Sequence, residues 1–273
     1  MKELLITPQF AATHATQIAE ARKRMDIAPN QSVEDTGRWY REYYRARRSM
    51  TVNEGVANIH VYGMLGTKFD PVYRAVGLVT DYGDILAEIN KAINDPEVFD
   101  ILLDMESGGG YAMGAPELAD AILALRDSEK TIYSYSDDLN CSAAYYISCG
   151  ADYSLASVDA AIGSIGTRMG FGDYVGMMER QGVTMHEFEA TGADLKAAGS
   201  PHHKPTEEEV KFFQESIDQT NAAFKAHVMA CRPGIDAEVF RAGFYSGEVA
   251  VDLGLVDYLV SRQDIVETII SLR

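Results

Sequence analysis

Asn140-Cys141-Ser142-Ala143-Ala144-Tyr145-Tyr146 sets a serine among small residues at the start of a predicted helix. There the Ala143 N–H has no intrahelical acceptor and the helix dipole favours a developing negative charge, so Ser142 is a candidate nucleophile. Serine is also a preferred helix N-cap, which alone would explain it. Cys141 is a rival nucleophile, although a thiol beside a strand end is more often buried and inert. A second stretch, Leu102-Leu103-Asp104-Met105-Glu106-Ser107-Gly108-Gly109-Gly110, is an apolar strand running into three glycines. Such glycines bend the chain sharply and aim N–H groups at an oxygen, of a phosphate or of an oxyanion. The phosphate-loop patterns GxxxxGK[ST] and GxGxxG are both absent.

A serine nucleophile needs a base, and the six histidines offer no triad. The nearest one downstream is His186, no GxSxG elbow exists, and His202-His203 lies in a polar loop. Lysine can replace histidine where desolvation keeps it neutral. Lys196 sits in Gly192-Ala193-Asp194-Leu195-Lys196-Ala197-Ala198-Gly199-Ser200-Pro201, where Asp194 is its one charged neighbour, although an exposed lysine is the plain alternative. Gly163-Ser164-Ile165-Gly166 looks like another nucleophile turn but lacks the outer GxSxG spacing.

These groups need a scaffold, and the hydrophobic pattern predicts one. From Val56 onward short β-like runs alternate with amphipathic helices: strand 57–62, helix 82–94, strand 99–105, helix 116–126, strand 131–135, helix 142–149, strand 153–156 and helix 174–181. Strand and helix alternate as in a parallel α/β sheet. A further strand is expected at 184–189 and a long helix at 206–231, opened by the capping-box pair Thr206 and Glu209 and ended before Pro233-Gly234. A last strand follows Leu253-Gly254-Leu255-Val256-Asp257, then a helix from Gln263. Residues 1–52 read as a separate helical preface, with helices at 11–25 and 35–48, and residues 53–273 as one domain.

The net charge of −17 is uneven: residues 1–50 hold nine Lys/Arg against six Asp/Glu, leaving 15 against 35, or −20, in the body. That surface repels nucleic acid and anionic lipid. Cys141, Cys149 and Cys231 show no paired spacing, so neither a disulfide framework nor a zinc site is expected. No apolar run reaches the ~20 residues of a membrane helix and no secretory signal is present, which points to the cytoplasm and to no membrane.

The glycine run, the Asn140–Tyr146 turn with Gly163–Gly166 after it, and Lys196-Ala197-Ala198-Gly199-Ser200-Pro201 occur in one order. In this the chain resembles the signal peptide peptidase A family of Ser/Lys peptidases over roughly Val56 to Val260, including Tyr245-Ser246-Gly247 and Gly254-Leu255-Val256-Asp257. Within that family it is similar to the tailed-phage head-maturation proteases, through Ile101-Leu102-Leu103-Asp104-Met105, Asn140-Cys141-Ser142-Ala143 and Glu179-Arg180-Gln181-Gly182-Val183. The resemblance implies an α/β, crotonase-like (ClpP-like) fold of repeated βαβ units behind the helical N-terminal segment. It implies Ser142 as nucleophile, Lys196 as base, Ser164 as the hydroxyl orienting that lysine, and Gly109 or Gly110 with Ala143 as oxyanion donors. The family often has Ser-Pro-Gly-Gly at Ser107–Gly110 and Ser-Gly-Gly or Ser-Ala-Gly at Ser142–Ala144, departures that remove no catalytic group.

The function so implied is a serine endopeptidase needing no metal or cofactor, working as a homo-oligomer on protein or peptide substrates. If phage-encoded, it would act on scaffold, portal or capsid proteins in the host cytoplasm or the prohead. A crotonase-type acyl-CoA enzyme, a non-catalytic scaffold or shell protein and a bacterial housekeeping peptidase are the competing readings.

Overall fold

The computed structural model describes residues 50–69, 74, 78–126 and 128–273. The preface helices expected at 11–25 and 35–48 lie outside them. Strand β1 (Thr51–Asn53) straddles the boundary drawn after residue 52 and pairs antiparallel with β2 (Val56–Tyr62).

From β2 the chain repeats one pattern: a long strand, a short strand or turn in a second layer, then a helix. The first unit runs through β3 (Met64–Gly66) and β4 (Val79–Asp81) to α1 (Tyr82–Asn94). The second joins β5 (Asp100–Glu106) to α2 (Ala115–Leu123), and the third comprises β6 (Thr131–Ser136), β7 (Leu139–Cys141) and α3 (Ala143–Ser148). The fourth opens with β8 (Tyr153–Ala156) and β9 (Ala161–Gly163). It extends through α4 (Val175–Arg180), a 3₁₀ turn at Asp194–Ala197, α5 (Glu207–Cys231) and a 3₁₀ turn at Ala237–Arg241. The chain closes with β10 (Phe244–Ser246), α6 (Gly247–Asp252), β11 (Tyr258–Leu259) and α7 (Ile265–Leu272).

The main sheet has the order β1-β2-β5-β6-β8-β11, parallel from β2 to β11. This is the α/β class with parallel, helix-connected strands that the alternation predicts. One face packs on α1, α2 and α3 through Ile59, Ile85, Ile89, Leu103, Leu118 and Ile147; the other is covered by Ile265 and Ile269 of α7. Because both faces are covered, β5 is buried along almost its whole length, with Ile101, Leu102, Leu103 and Met105 filling both sides. Asp81 starts α1 by accepting from Gly83 N–H, and Thr206 and Glu209 form the expected capping box on α5.

Two expectations are corrected. Residues 184–189 form no strand: they pair with no described strand and are exposed throughout, Phe188 by 91%, so the alternation has no ladder to join. The long helix is present, but of the apolar face that helical spacing gives it, Val210, Phe213, Ile217, Phe224 and Val228, only Phe224 and Val228 are buried, while Val210 is exposed. Its N-terminal half stands clear of the core.

Between the acidic ends of β5, Asp104 interrupts the apolar run. Asp104 is 5% exposed and is met by His60 Nδ1 at 2.9 Å and Arg262 Nη1 at 2.7 Å, while Arg262 also holds Asp137. Burial raises the Asp104 carboxyl, and the bonds from His60 and Arg262 more than offset it, leaving it below the usual carboxylate range. We expect Arg262→Met to lower stability by about 2–3 kcal/mol in urea denaturation, less than for a fully buried pair because Arg262 is half-exposed. Since the Asp104 pKa is depressed on folding, its contribution is present above the unfolded carboxylate value and lost as pH falls through the lower, folded one.

Candidate active site

The short second layer gathers the candidate residues. β7 runs parallel to β9 with Cys141 opposite Gly163, and Ser142 and Ser164 are the next residues of the two strands. At the roughly 5 Å spacing of paired strands the two serines leave the sheet side by side. The turns are tied by Ser142 N–H donating to Gly163 O at 2.8 Å, and Ser164 N–H donating to Gly243 O at 2.7 Å. On the other side of β7, Ser107–Gly110 takes the place of a strand: Ser107 bridges Asn140 and Gly110 bridges Leu65.

Both serines have positive φ, 54° for Ser142 and 52° for Ser164, which non-glycine residues rarely adopt. Ser142 stands at the N-cap position of α3, its carbonyl accepting from Tyr146 N–H at 2.9 Å, but its ψ of −125° departs from the extended backbone of a capping serine. Its side chain makes no cap hydrogen bond, so the N-cap explanation fails. The turn is held by its surroundings. Asn140 and Ser148 side chains bond each other across the length of α3 at 2.9 and 3.1 Å, and Tyr145 Oη donates to Leu255 O at 3.0 Å. Asn140 and Ser107 thus hold the Ser142 turn in place, Asn140 through Ser148 and both through their bridge to each other, a part that spacing alone did not assign to them.

The glycines divide their tasks. Gly109, at φ +101°, packs under Ser142, where a Cβ would lie 2.7 Å from Ser142 Cβ. Its N–H donates to Ser107 Oγ at 3.1 Å. Gly110 crosses Leu65 so closely that a Cβ would meet Leu65 O at 1.9 Å. The N–H groups of Gly110 and Ala143 have no partner among the described residues.

Ser142, Ser164, Gly110 and Ala143 open on one cavity of about 690 Å³. Its walls are mostly small or apolar, with Met64, Ala115, Tyr146 and Phe224, and Arg168 is its one charged lining residue among those described. Arg168 and Tyr146 are further lining residues that spacing did not reveal. Lys196 is not among the lining residues; it is exposed in the 3₁₀ turn Asp194–Ala197. The rival Cys141 is buried, donates to Ala161 O at 3.3 Å, and has its thiol pushed up to about 11 by burial, so it is protonated at neutral pH.

The strain makes two predictions. Ser142→Gly should raise stability by about 1 kcal/mol in chemical denaturation, because glycine accepts the backbone angles that cost serine ~1–3 kcal/mol. Gly110→Ala should lower it by about 2–3 kcal/mol, because the clash is with backbone that cannot swing aside.

Comparison with known proteins adds an independent line. The chain is 33% identical to the capsid assembly protease C of Escherichia phage lambda and 30% identical to the head-tail preconnector protein GP5 of Enterobacteria phage P21, each over 81% of its length. It is 31% identical over 69% of its length to a protein of Enterococcus faecium named for signal peptide peptidase SppA. It spans about half the length of these relatives: 50%, 44% and 55% respectively. Among solved structures, an enoyl-CoA hydratase/isomerase family protein from Silicibacter pomeroyi superposes with a TM-score of 0.47 and 11% identity, over 82% of this chain and 79% of that one. Residues 124–272, more than half of the chain and including Ser142, Ser164 and Lys196, match the profile of peptidase family S49, and the chain belongs to that family.

Proposed function

We propose that this chain is a serine endopeptidase with Ser142 as nucleophile and Lys196 as general base. The observation that carries the reading is the uncapped, strained Ser142 facing a cavity beside two unpaired N–H groups. Lys196 Nζ takes the Ser142 hydroxyl proton as Oγ attacks the peptide carbonyl, and the Gly110 and Ala143 N–H groups stabilise the oxyanion. The tetrahedral intermediate collapses, the amine leaves with the proton from Lys196, and water hydrolyses the acyl-enzyme by the same route. Ser164 orients the lysine.

Lys196 reaches the cavity, in this reading, when copies of the chain assemble. Its support is the exposed position of Lys196 on a segment that also exposes Phe171, Val183, Met185 and Phe188, more apolar surface than a monomer usually leaves bare. The small, apolar cavity suits small or apolar substrate side chains. Scaffold, portal and capsid proteins are the proposed natural substrates and partners, supported by the phage relatives named for capsid assembly and the head-tail connection. The acidic surface argues against direct binding to nucleic acid. Among the described residues no helix is long and apolar enough to cross a membrane.

Cleavage of an unfolded protein substrate should fall by about 10³-fold or more in Ser142→Ala and in Lys196→Ala, and persist at the same order of magnitude in Cys141→Ser. A fluorophosphonate should label Ser142, which an acyl-CoA enzyme does not explain; neither labelling nor turnover in the assembled protein would favour a shell component. Mixing the Ser142→Ala and Lys196→Ala chains should restore part of the activity, whereas a dyad completed within one chain leaves the mixture inactive.

A further inference from the structure

Behind the cavity wall made by Tyr146 and Phe224 lies a second cluster of reactive side chains. Cys149 follows the last residue of α3, the helix that Ser142 opens, and His227 and Cys231 lie one turn apart at the end of α5. Four residues of separation put His227 and Cys231 on one helix face. Packing of α3 against α5 adds Cys149, bringing its Sγ, Cys231 Sγ and a ring nitrogen of His227 within 4.8 Å of one another. Cys231 Sγ and His227 Nε2 are 3.5 Å apart. With Zn–S near 2.3 Å and Zn–N near 2.0–2.1 Å, tetrahedral geometry separates an S and an N ligand by about 3.5 Å, so this pair already spans one edge of a coordination tetrahedron.

The surroundings fit a bound ion. Cys149 and Cys231 are buried, at 0% and 3% exposure, while His227 is half-buried and leaves a solvent side for a fourth ligand. The Tyr146 ring stacks on the His227 ring with centroids 4.4 Å apart and fixes its plane. The Arg126 guanidinium donates to the backbone oxygens of Cys149, Gly150, Ala151 and Cys231, at 2.8–3.3 Å. Both thiol-bearing segments are thus pinned before any ion arrives. A thiol–imidazole hydrogen bond needs Cys231 and His227 alone; Cys149, whose Sγ also donates to Tyr146 O at 3.3 Å, brings a third ligand atom from another helix.

We propose that Cys149, His227 and Cys231 bind one zinc ion, with water in the fourth position, and that the ion braces the nucleophile-bearing helix α3 against α5. Binding releases the thiol protons to solvent and forms two Zn–S bonds and one Zn–N bond. The proposal stands apart from the peptidase reading, since none of the three ligands is in the catalytic set.

The test uses the full chain, reduced and stripped of metal by a chelator. Zinc should bind one per chain and raise the thermal midpoint; cobalt should give thiolate-to-metal charge-transfer bands that zinc abolishes. His227→Ala and Cys231→Ser should weaken zinc by at least the ~10–100-fold that losing an outer-shell partner costs, and Cys141→Ser should change nothing. Independently of those variants, zinc should protect Cys149 and Cys231 of the wild type from iodoacetamide at a urea concentration that opens the metal-free chain, read by peptide mass spectrometry. Substoichiometric zinc, cobalt spectra without charge-transfer bands, unprotected thiols, or a Cys149–Cys231 disulfide in a chain that ignores zinc when reduced would each overturn the assignment.

Discussion

The parallel pairing of β7 with β9 is the interaction on which the site rests. Its register sets Cys141 against Gly163, and the Ser142 N–H to Gly163 O bond carries that register one residue beyond the strands. A slip of one residue would turn every side chain of the pair to the opposite face and separate the two serines. On the far side of β7 the Ser107–Asn140 bridge continues the layer, and the Gly110–Leu65 bridge joins it to β3. The cavity is therefore the open edge of a small second sheet, and its groups share one level because backbone hydrogen bonds put them there.

Two serines at positive φ are expensive features, and each is kept where the rest of the structure determines the backbone. Around Ser142 this is done by buried polar bonds that span α3: Asn140 with Ser148, and Tyr145 with Leu255. The second brings in the Gly254–Asp257 turn, whose Asp257 carboxylate receives Arg232 Nη1 at 2.7 Å and the Ser154 N–H at 2.7 Å. A residue near the C-terminus thus supports the turn at residue 142 through the packing of α3. The Asp104 network with His60 and Arg262 does the same at the sheet, anchoring the segment after β11 to the central strand.

The described residues divide into a buried part and an exposed part. Sheet, α1–α3 and the C-terminal half of α5 bury the apolar core, whereas the chain from residue 167 through the first half of α5 leaves apolar side chains bare. Lys196 belongs to the exposed part, and Ser142 lies among the buried residues of the other. The proposed chemistry needs both, so subunit assembly and activity would be coupled.

Local pattern determined much of this protein. The alternation of strands and helices, α1 from Tyr82 to Asn94, β8 from Tyr153 to Ala156 and the capping box on α5 were all legible, because period and caps act over a few residues. The serine turn and the glycine run were legible as candidate chemistry and as an ordered set that resembles a family. The same periodicity misled at 184–189 and over the first half of α5, because it reports an amphipathic face and not whether anything covers that face. Only the tertiary structure decided that Ser142 is strained and without a side-chain cap bond, that Gly109 N–H is taken by Ser107 while Gly110 N–H has no partner among the described residues, and that Cys149 meets His227 and Cys231. Each of these depends on strand register or helix packing between residues distant in sequence, where closing the chain is decided by the whole core and no short motif carries the information.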